Sequence, residues 1–237
     1  MSKIKWDAVG EKLYEVGVDR VVLFVSNGAA GYEKGVGWNG VTAVNESPSG
    51  AEPTKVYANN HTYITLLSVE ELGLSIEAYT YPDEFMACDG SKEVKPGVFI
   101  GQQGRKHFGL AYRSLIGNDE DNNNHGYKIH IIYDCLASPS EKQHSTVNDS
   151  PDISPFSWEV STTPIDMGID GADVSASIEI DSTKVTSDAL TAIENLLYGT
   201  DATVGTGGTE GTEGTEPSLP TPARIFELLD GDEDDNG

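Results

Sequence analysis

The chain has 237 residues and a formal net charge of −24, with 15 basic and 39 acidic side chains. A body of this size buries roughly 70% of its unfolded surface, so it can fold without metals or disulfides. Its acidity disfavours binding to nucleic-acid phosphates. Cys88 and Cys135 are too few for a disulfide framework, so we predict reduced thiols in a cytoplasm. We expect no secretory signal and no membrane span, because no long apolar run occurs.

Apolar patterns in chain order predict a mainly β domain of about seven strands. Residues 21–25 are continuously apolar, which is typical of a strand covered on both faces. A strand at 61–67 follows after a long polar, Gly-rich connection. In the segment 73–90, apolar and polar side chains alternate as in a strand, and Pro82 then starts a helical turn. Later strands are indicated by the apolar sets Phe108, Leu110 and Tyr112; Ile129, Ile131 and Tyr133; Phe156, Trp158 and Val160; and Ala176, Ile178 and Ile180. The first two of these sets form a hairpin through a polar loop at 117–126, and the whole predicts a two-sheet sandwich or a barrel.

The C-terminal third contains one long helix and a change of composition. Residues 187–198 combine an N-cap, an apolar stripe and a following Gly199, so they predict a helix that flanks the sheet. The predicted β domain at 1–200 is then followed by a Gly-Thr-Glu segment at 201–220, which we predict to be a flexible linker. Residues 221–237 predict a short apolar helix with an acidic tail. Four apolar residues of this helix favour docking on the chain's own body or on a neighbouring subunit: Ile225, Phe226, Leu228 and Leu229.

Motifs that would indicate chemistry are incomplete. The G-x-G-x-x-G at 35–40 precedes a segment that cannot be a helix, so it does not predict a dinucleotide site. Asp119, Asp121 and Asn123 have calcium-loop spacing, but Asn124 stands where an EF-hand needs Gly. The histidines show no metal-binding spacing, and no nucleophile elbow occurs. We therefore predict no catalytic, cofactor or metal site, and a protein that is not an enzyme.

Seven segments together resemble the major tail proteins of long-tailed, siphovirus-type bacteriophages. They span most of residues 3–200, and they are GVGWNG (35–40), YANNHTY (57–63), GLSIEAYTYPDEFMACDG (73–90), GRKHFGLAYR (104–113), YKIHIIYDCLAS (127–138), FSWEVSTTP (156–164) and ALTAIENLLYGT (189–200). The resemblance implies a phage tail-tube fold, a sandwich or barrel with one flanking helix. It also implies a structural virion protein that forms hexameric rings, which stack into the tail tube after assembly in the host cytoplasm.

The same resemblance implies partners and contact residues. The partners are other copies of the chain, the tape-measure protein and the tail-tip or terminator proteins. DNA passes through the lumen without specific binding, and no membrane is involved. Six copies at −24 each would give a ring a net charge of −144. The same acidity is also explained by the need to keep an abundant protein soluble. By analogy of position, ring-to-ring contacts are expected from the N-terminal arm and from a stacking loop at 27–55, with the residues Asn27, Tyr32, Trp38, Asn39 and Lys55.

Two other functions remain open at this point. The first is a binding module, in which Trp38, Trp158 and the tyrosines form stacking platforms for a carbohydrate or host receptor. The alternation of Trp158 with Phe156 favours a core position and weakens this hypothesis. The second is a decoration or neck protein of the virion, which would form one ring or trimer and stop. The role of residues 201–237 is not part of the resemblance.

Overall fold

The protein is mainly β, with twelve strands and two α-helices in the part of the chain that the structure describes. A computed structural model describes residues 4–28, 31–50, 52–68, 70–144, 146, 154–203 and 212–230. The strands are β1 (Tyr14–Val25), β2 (Val36–Gly37), β3 (Val41–Gly50), β4 (Pro53–Ala58), β5 (His61–Leu67), β6 (Glu70–Ala78), β7 (Lys92–Lys95), β8 (Val98–Ile100), β9 (Phe108–Asn118), β10 (Asn122–Ala137), β11 (Phe156–Thr162) and β12 (Ser177–Asp181). The helices are α1 (Ser187–Tyr198) and α2 (Pro222–Asp230), and a 3₁₀ helix spans Asp83–Ala87.

Eight strands form one antiparallel sheet in the order β2-β1-β9-β10-β11-β6-β3, with β12 also paired to β10. Strand β10 pairs with two different strands along one of its edges. Ile132 is its last residue paired with β12, and Cys135 is its first residue paired with β11. Between them Asp134 has a φ of 47°, which bends the strand. The sheet curls far enough for β3 to lie beside β1. The strands therefore form one curled sheet and two separate hairpins. The sequence had predicted either a sandwich of two facing sheets or a barrel.

The inner face of the curled sheet encloses an aromatic core. Trp38, Phe85 and Trp158 meet there, with ring centroids 4.5 Å apart for Trp38 and Phe85 and 5.2 Å apart for Phe85 and Trp158. The alternating residues of β6 complete it, since Leu74 and Ile76 are fully buried as the period-2 pattern predicts. This core fixes the end of β6 against the 3₁₀ helix that carries Phe85.

The outer face of the sheet is covered by the two helices. Ile193 and Leu197 of α1 and Ile225 of α2 pack on the outward residues of β1, β9 and β10, which explains why the predicted strand 21–25 is apolar on both faces. Helix α1 has the predicted bounds, with a hydrogen bond from the Ala189 amide to the Thr186 side chain at its N-terminus. One flanking helix was expected, whereas α1 and α2 share this face.

The segment after α1 folds back on the body. Thr200 pairs with Thr215 through two backbone hydrogen bonds of 3.0 Å, and the Gly35 amide donates to the Pro217 carbonyl over 2.9 Å. The Ser218 amide donates to the carbonyl of Leu196 over 2.7 Å. The described parts of the predicted flexible linker are thus held in place by backbone hydrogen bonds. Its residues 204–211 and the predicted acidic tail at 231–237 lie outside the described residues.

The long connection expected between the first two strands is wrong. Residues 27–55 contain β2, β3 and the start of β4, and β3 pairs with β6 over nine residue pairs from Val41 to Gly50. The polar composition of β3 gave no strand signal. Its last six residues are exposed on both faces at a sheet edge. An edge strand needs no apolar alternation when neither face is covered there.

Candidate assembly surface

Three segments leave the body and expose apolar side chains to solvent. They are an N-terminal arm of residues 4–13, the β4–β5 hairpin and the β7–β8 hairpin, neither of which pairs with the main sheet. The side chains concerned are Ile4, Trp6, Val9 and Leu13 on the arm; Val56, Tyr57, Tyr63, Ile64, Leu66 and Leu67 on the first hairpin; and Val94, Val98, Phe99 and Ile100 on the second. Single exposed apolar residues are common on protein surfaces, but contiguous groups mark interaction sites. We call these three segments the projecting segments.

The N-terminal arm is anchored at one point. The Gly10 amide donates to Asp119 Oδ1 over 3.0 Å, the Asn118 side-chain amide donates to the Gly10 carbonyl over 3.2 Å, and Lys12 lies 3.5 Å from Asp119. The supposed calcium ligand Asp119 therefore fixes the arm to the β9–β10 turn. Trp6 on this arm remains 75% exposed.

The β4–β5 hairpin is the longest projecting segment. Its turn is Asn59-Asn60, with φ values of 50° and 64°, the left-handed pair that a tight two-residue hairpin turn requires. Val56 faces Ile64 across the ladder, and Tyr63 and Leu67 are 71% and 73% exposed. A two-stranded hairpin is at best marginally stable alone in water, so its apolar residues need a partner surface.

The β7–β8 hairpin is shorter and basic. The Gly97 amide at its tip donates to Glu93 Oε1 over 2.8 Å. Lys92 and Lys95 are exposed, and neither has an ion-pair partner among the described residues. This hairpin was not predicted from the sequence. Two short strand-like runs on either side of Pro96-Gly97 are a hairpin signal that would have indicated it.

The five residues predicted for ring stacking are spread over different environments. Asn27, Asn39 and Lys55 are exposed, and Lys55 lies on β4. Tyr32 is half-buried, and its hydroxyl accepts a hydrogen bond from the Asp134 amide over 3.0 Å. Trp38 is only 3% exposed, so it belongs to the core and its place in a stacking contact is wrong.

The tryptophan platforms of the binding-module hypothesis are also core residues. Trp38 donates through Nε1 to the Thr80 carbonyl over 2.8 Å, and Trp158 is fully buried beside it. The Gly-Val-Gly-Trp run looks like a loop in sequence, and only the tertiary contacts reveal that the Trp38 indole packs in the core inside the curled sheet. Among the described residues, the aromatic side chains that remain exposed are Trp6, Tyr14, Tyr57, Tyr63, Tyr79 and Phe99.

The four predicted docking residues of the C-terminal helix differ in burial. Ile225 is fully buried against the outer face of the sheet. Leu228 and Leu229 are half-buried and pack against the same cluster, while Phe226 is half-buried outside it. Helix α2 therefore lies on the chain's own body.

A buried polar cluster lies where β1, β3, β9, β10 and β12 meet. Ser114 Oγ lies 2.9 Å from Nε2 of His130, whose ring stacks on Tyr112 with centroids 4.5 Å apart. The Ser114 hydroxyl donates a hydrogen bond to Glu15 over 2.6 Å. The carboxylate of Glu15 also lies 2.9 Å from Lys128 Nζ. Burial alone would raise the pKa of Glu15, but the hydrogen bonds from Ser114 and Lys128 outweigh it and hold that pKa below its usual value.

This cluster contains the side chains of a hydrolytic triad in an arrangement that does not activate a nucleophile. The Ser114 hydroxyl donates its hydrogen bond to Glu15, so its oxygen is left to accept one from His130, which is the reverse of the hydrogen bond that a serine nucleophile needs. Ser114 also lies within a strand, paired with Lys128, and not on a sharp strand-to-helix turn. The cluster instead joins five strands through hydrogen bonds and ion pairs.

Comparisons with known proteins give no further assignment. No family model matches the chain, and no curated protein matches it. Within the described ranges, no group of three or more His, Cys, Asp or Glu is arranged to hold a metal ion. Neither described helix has the length and apolarity needed to cross a membrane. The fold defines a mainly β protein with one curled antiparallel sheet and three projecting segments.

Proposed function

We propose that this chain is the major tail protein of a long-tailed bacteriophage, the subunit that assembles into hexameric rings and stacks them as the tail tube. The observation that carries the proposal is the set of projecting segments on a body that already has two complete cores. Both cores are buried within a single chain, so the apolar residues outside them are available for contacts with other copies.

Assembly by this route requires no reaction. Strand β3 lies at one end of the sheet order and β2 at the other, and unpaired backbone groups at the edge of a sheet can pair with neighbouring chains. Contacts that join different patches of successive copies close into rings or continue as filaments. A stable interface of this kind buries about 1,600 Å² in total, which two hairpins and an arm together are suited to supply.

The charge of the chain supports a conduit for DNA. Each copy carries −24, and a ring of six concentrates this charge around the lumen and outer wall. Like charge keeps phosphates from binding to the wall, so DNA can leave without being held. In the proposed tail the tape-measure protein occupies the lumen first, and tip and terminator proteins close the two ends.

The proposal is tested by polar substitutions on the β4–β5 hairpin. A deletion across 27–55 would remove Trp38 and β3 and unfold the body, so point changes are the sharper test. The double variant Tyr63→Ser, Leu67→Ser removes two exposed apolar contacts without touching either core. We expect its critical concentration for tube formation to rise at least about tenfold, since burying one such side chain is worth about 1.5–3 kcal/mol.

The matched control is Ile169→Ser. Ile169 is an apolar residue that is 42% exposed and lies outside the projecting segments. It should assemble like the wild type. If the hairpin variant also assembles like the wild type, the β4–β5 hairpin has no part in the tube, and the proposal loses its main support.

A further inference from the structure

A groove of about 700 Å³ lies at one end of the body, beside strand β3. Its apolar lining residues are Pro48, Leu72, Pro164, Val174 and Ala176. Glu46, Glu70 and Asp173 also line it, and no Lys, Arg or His does. Glu70 and Asp173 have no ion-pair partner among the described residues.

The β7–β8 hairpin has the complementary properties. Val98 at its tip and Val94 before it are 51% and 49% exposed, and they are flanked by the unpaired Lys92 and Lys95. An apolar strip between two free cations matches an apolar groove between free carboxylates, and such complementarity sets the register of an interface. With Glu93 between these two cations, the hairpin has a net charge of +1 on a chain of −24.

The groove and the hairpin lie at opposite ends of β6. Glu70 and Leu72, at the start of this strand, line the groove. At its other end, after Ala78, the chain enters the 3₁₀ helix, and Asp83 and Met86 of that helix share a cleft with Lys92 and Phe99 of the hairpin. Leu72 and Ala78 are six residue steps apart along the strand, which separates the two ends by about 20 Å.

We infer that the groove receives the β7–β8 hairpin of a second copy of this chain. Because the two halves of this contact lie at opposite ends of one molecule, a copy cannot satisfy its own groove, and the contact repeats head to tail. The inference rests on the proposed function and deepens it, because it names the pair of surfaces that joins successive subunits. It adds an ion-paired contact to the apolar contact proposed for β4–β5.

Reciprocal charge reversal tests the pairing. The hairpin variant is Lys92→Glu, Lys95→Glu, and the groove variant is Glu70→Lys, Asp173→Lys. Each alone places like charges in contact, so we expect each to raise the critical concentration of assembly at least about tenfold. In an equimolar mixture, acidic hairpins meet basic grooves and unchanged hairpins meet unchanged grooves. The mixture should therefore assemble as the wild type does, with the two variants alternating.

The control and the contradictory results are distinct. Lys34→Glu, Lys184→Glu makes the same change of charge at side chains that are 64% and 78% exposed and outside both surfaces, and it should assemble normally. Thermal unfolding of each variant checks that the body is intact. Normal assembly of both variants alone, or failure of their mixture to assemble, overturns this inference and leaves the proposed function standing. A wild-type chain that never assembles contradicts the proposed function itself.

Discussion

The hydroxyl of Tyr133 donates a hydrogen bond to the carbonyl oxygen of Pro220 over 3.0 Å, and the tyrosine is 1% exposed. This bond links the central strand β10 to Pro220, the last residue of the predicted linker. Burial raises the pKa of Tyr133, so the hydroxyl stays protonated and remains a donor at any ordinary pH. The C-terminal segment is thus part of the outer core, a role that the resemblance to tail proteins left open.

Truncation of Ile225 should reveal the contribution of helix α2 to stability. Ile225→Ala leaves a cavity at a fully buried site, and we expect it to lower the free energy of unfolding by about 3 kcal/mol. Glu227→Ala on the exposed side of the same helix should change it by less than about 0.5 kcal/mol. Urea denaturation of both variants measures the difference. Equal effects would mean that α2 is not packed on the body in solution.

Gly199 should be intolerant of a side chain because of its neighbour and not only because of its backbone. Its φ is +76°, and an added Cβ would lie 2.5 Å from the carbonyl oxygen of Thr215. Gly17 has the same φ with no atom within 4 Å, so Gly17→Ala isolates the backbone cost of about 1 kcal/mol. We expect Gly199→Ala to cost about 2 kcal/mol more than that. Thermal denaturation of the two variants makes the comparison, and equal losses would contradict the close packing of residues 212–217 on α1.

Both thiols should be inert in the folded protein. Cys88 and Cys135 are fully buried, and burial raises the pKa of Cys88 to about 12 and that of Cys135 as well. A thiol reagent should therefore label neither residue under native conditions and both in denaturant. Rapid labelling of the native protein would show that the inner core opens, and it would contradict the burial described for these strands.

Stability should fall in acid through the carboxylates of β1. The hydrogen bond from Arg113 holds the pKa of Asp19 below its ordinary value of 3.8, and that of Glu15 lies below 4.5. The unfolded chain binds protons at those ordinary values, so the stabilisation is complete above them and is lost as pH falls through the lower folded values. Denaturant titrations between about pH 7 and about pH 3 measure this loss.

Asp19→Asn is the matched variant for the acid titration. It keeps the shape of the side chain and removes the charge that faces Arg113, whose Nε and Nη2 lie 2.7 Å and 2.6 Å from the Asp19 oxygens. We expect it to be less stable near neutral pH and to lose less of its remaining stability in acid. An acid profile identical to that of the wild type would show that Asp19 has the same pKa in the folded and unfolded chains.

Sequence periodicity predicted the elements that have one or two buried faces. The alternation of Leu74 and Ile76 and the stripe of Ile193 and Leu197 arise from the same geometry that places them in the core. Of the strands without a buried face, only β5 was predicted, and β3, β4, β7 and β8 were missed. The burial of Trp38 depends on Phe85 and Trp158, which are distant in sequence, so no local pattern could reveal it.

The candidate site was harder to predict than the fold for a physical reason. Residues that contact another copy are exposed in a single chain, and in sequence they look like either core or ordinary surface. The residues of β5 were predicted as a strand of the domain and β4 was not predicted, whereas the exposure of both identifies them as a projecting hairpin. Only the structure separates apolar residues that are already covered from those that are not.

Electron microscopy of the purified chain at rising concentration, with light scattering to count subunits, tests the central claim most directly. The account predicts six-membered rings and hollow tubes that lengthen with concentration, and their loss in the Tyr63→Ser, Leu67→Ser variant. A closed ring or trimer that never extends would instead indicate a decoration or neck protein. A protein that stays monomeric at every concentration, and also when tape-measure and initiator proteins are added, would contradict the tail-tube function.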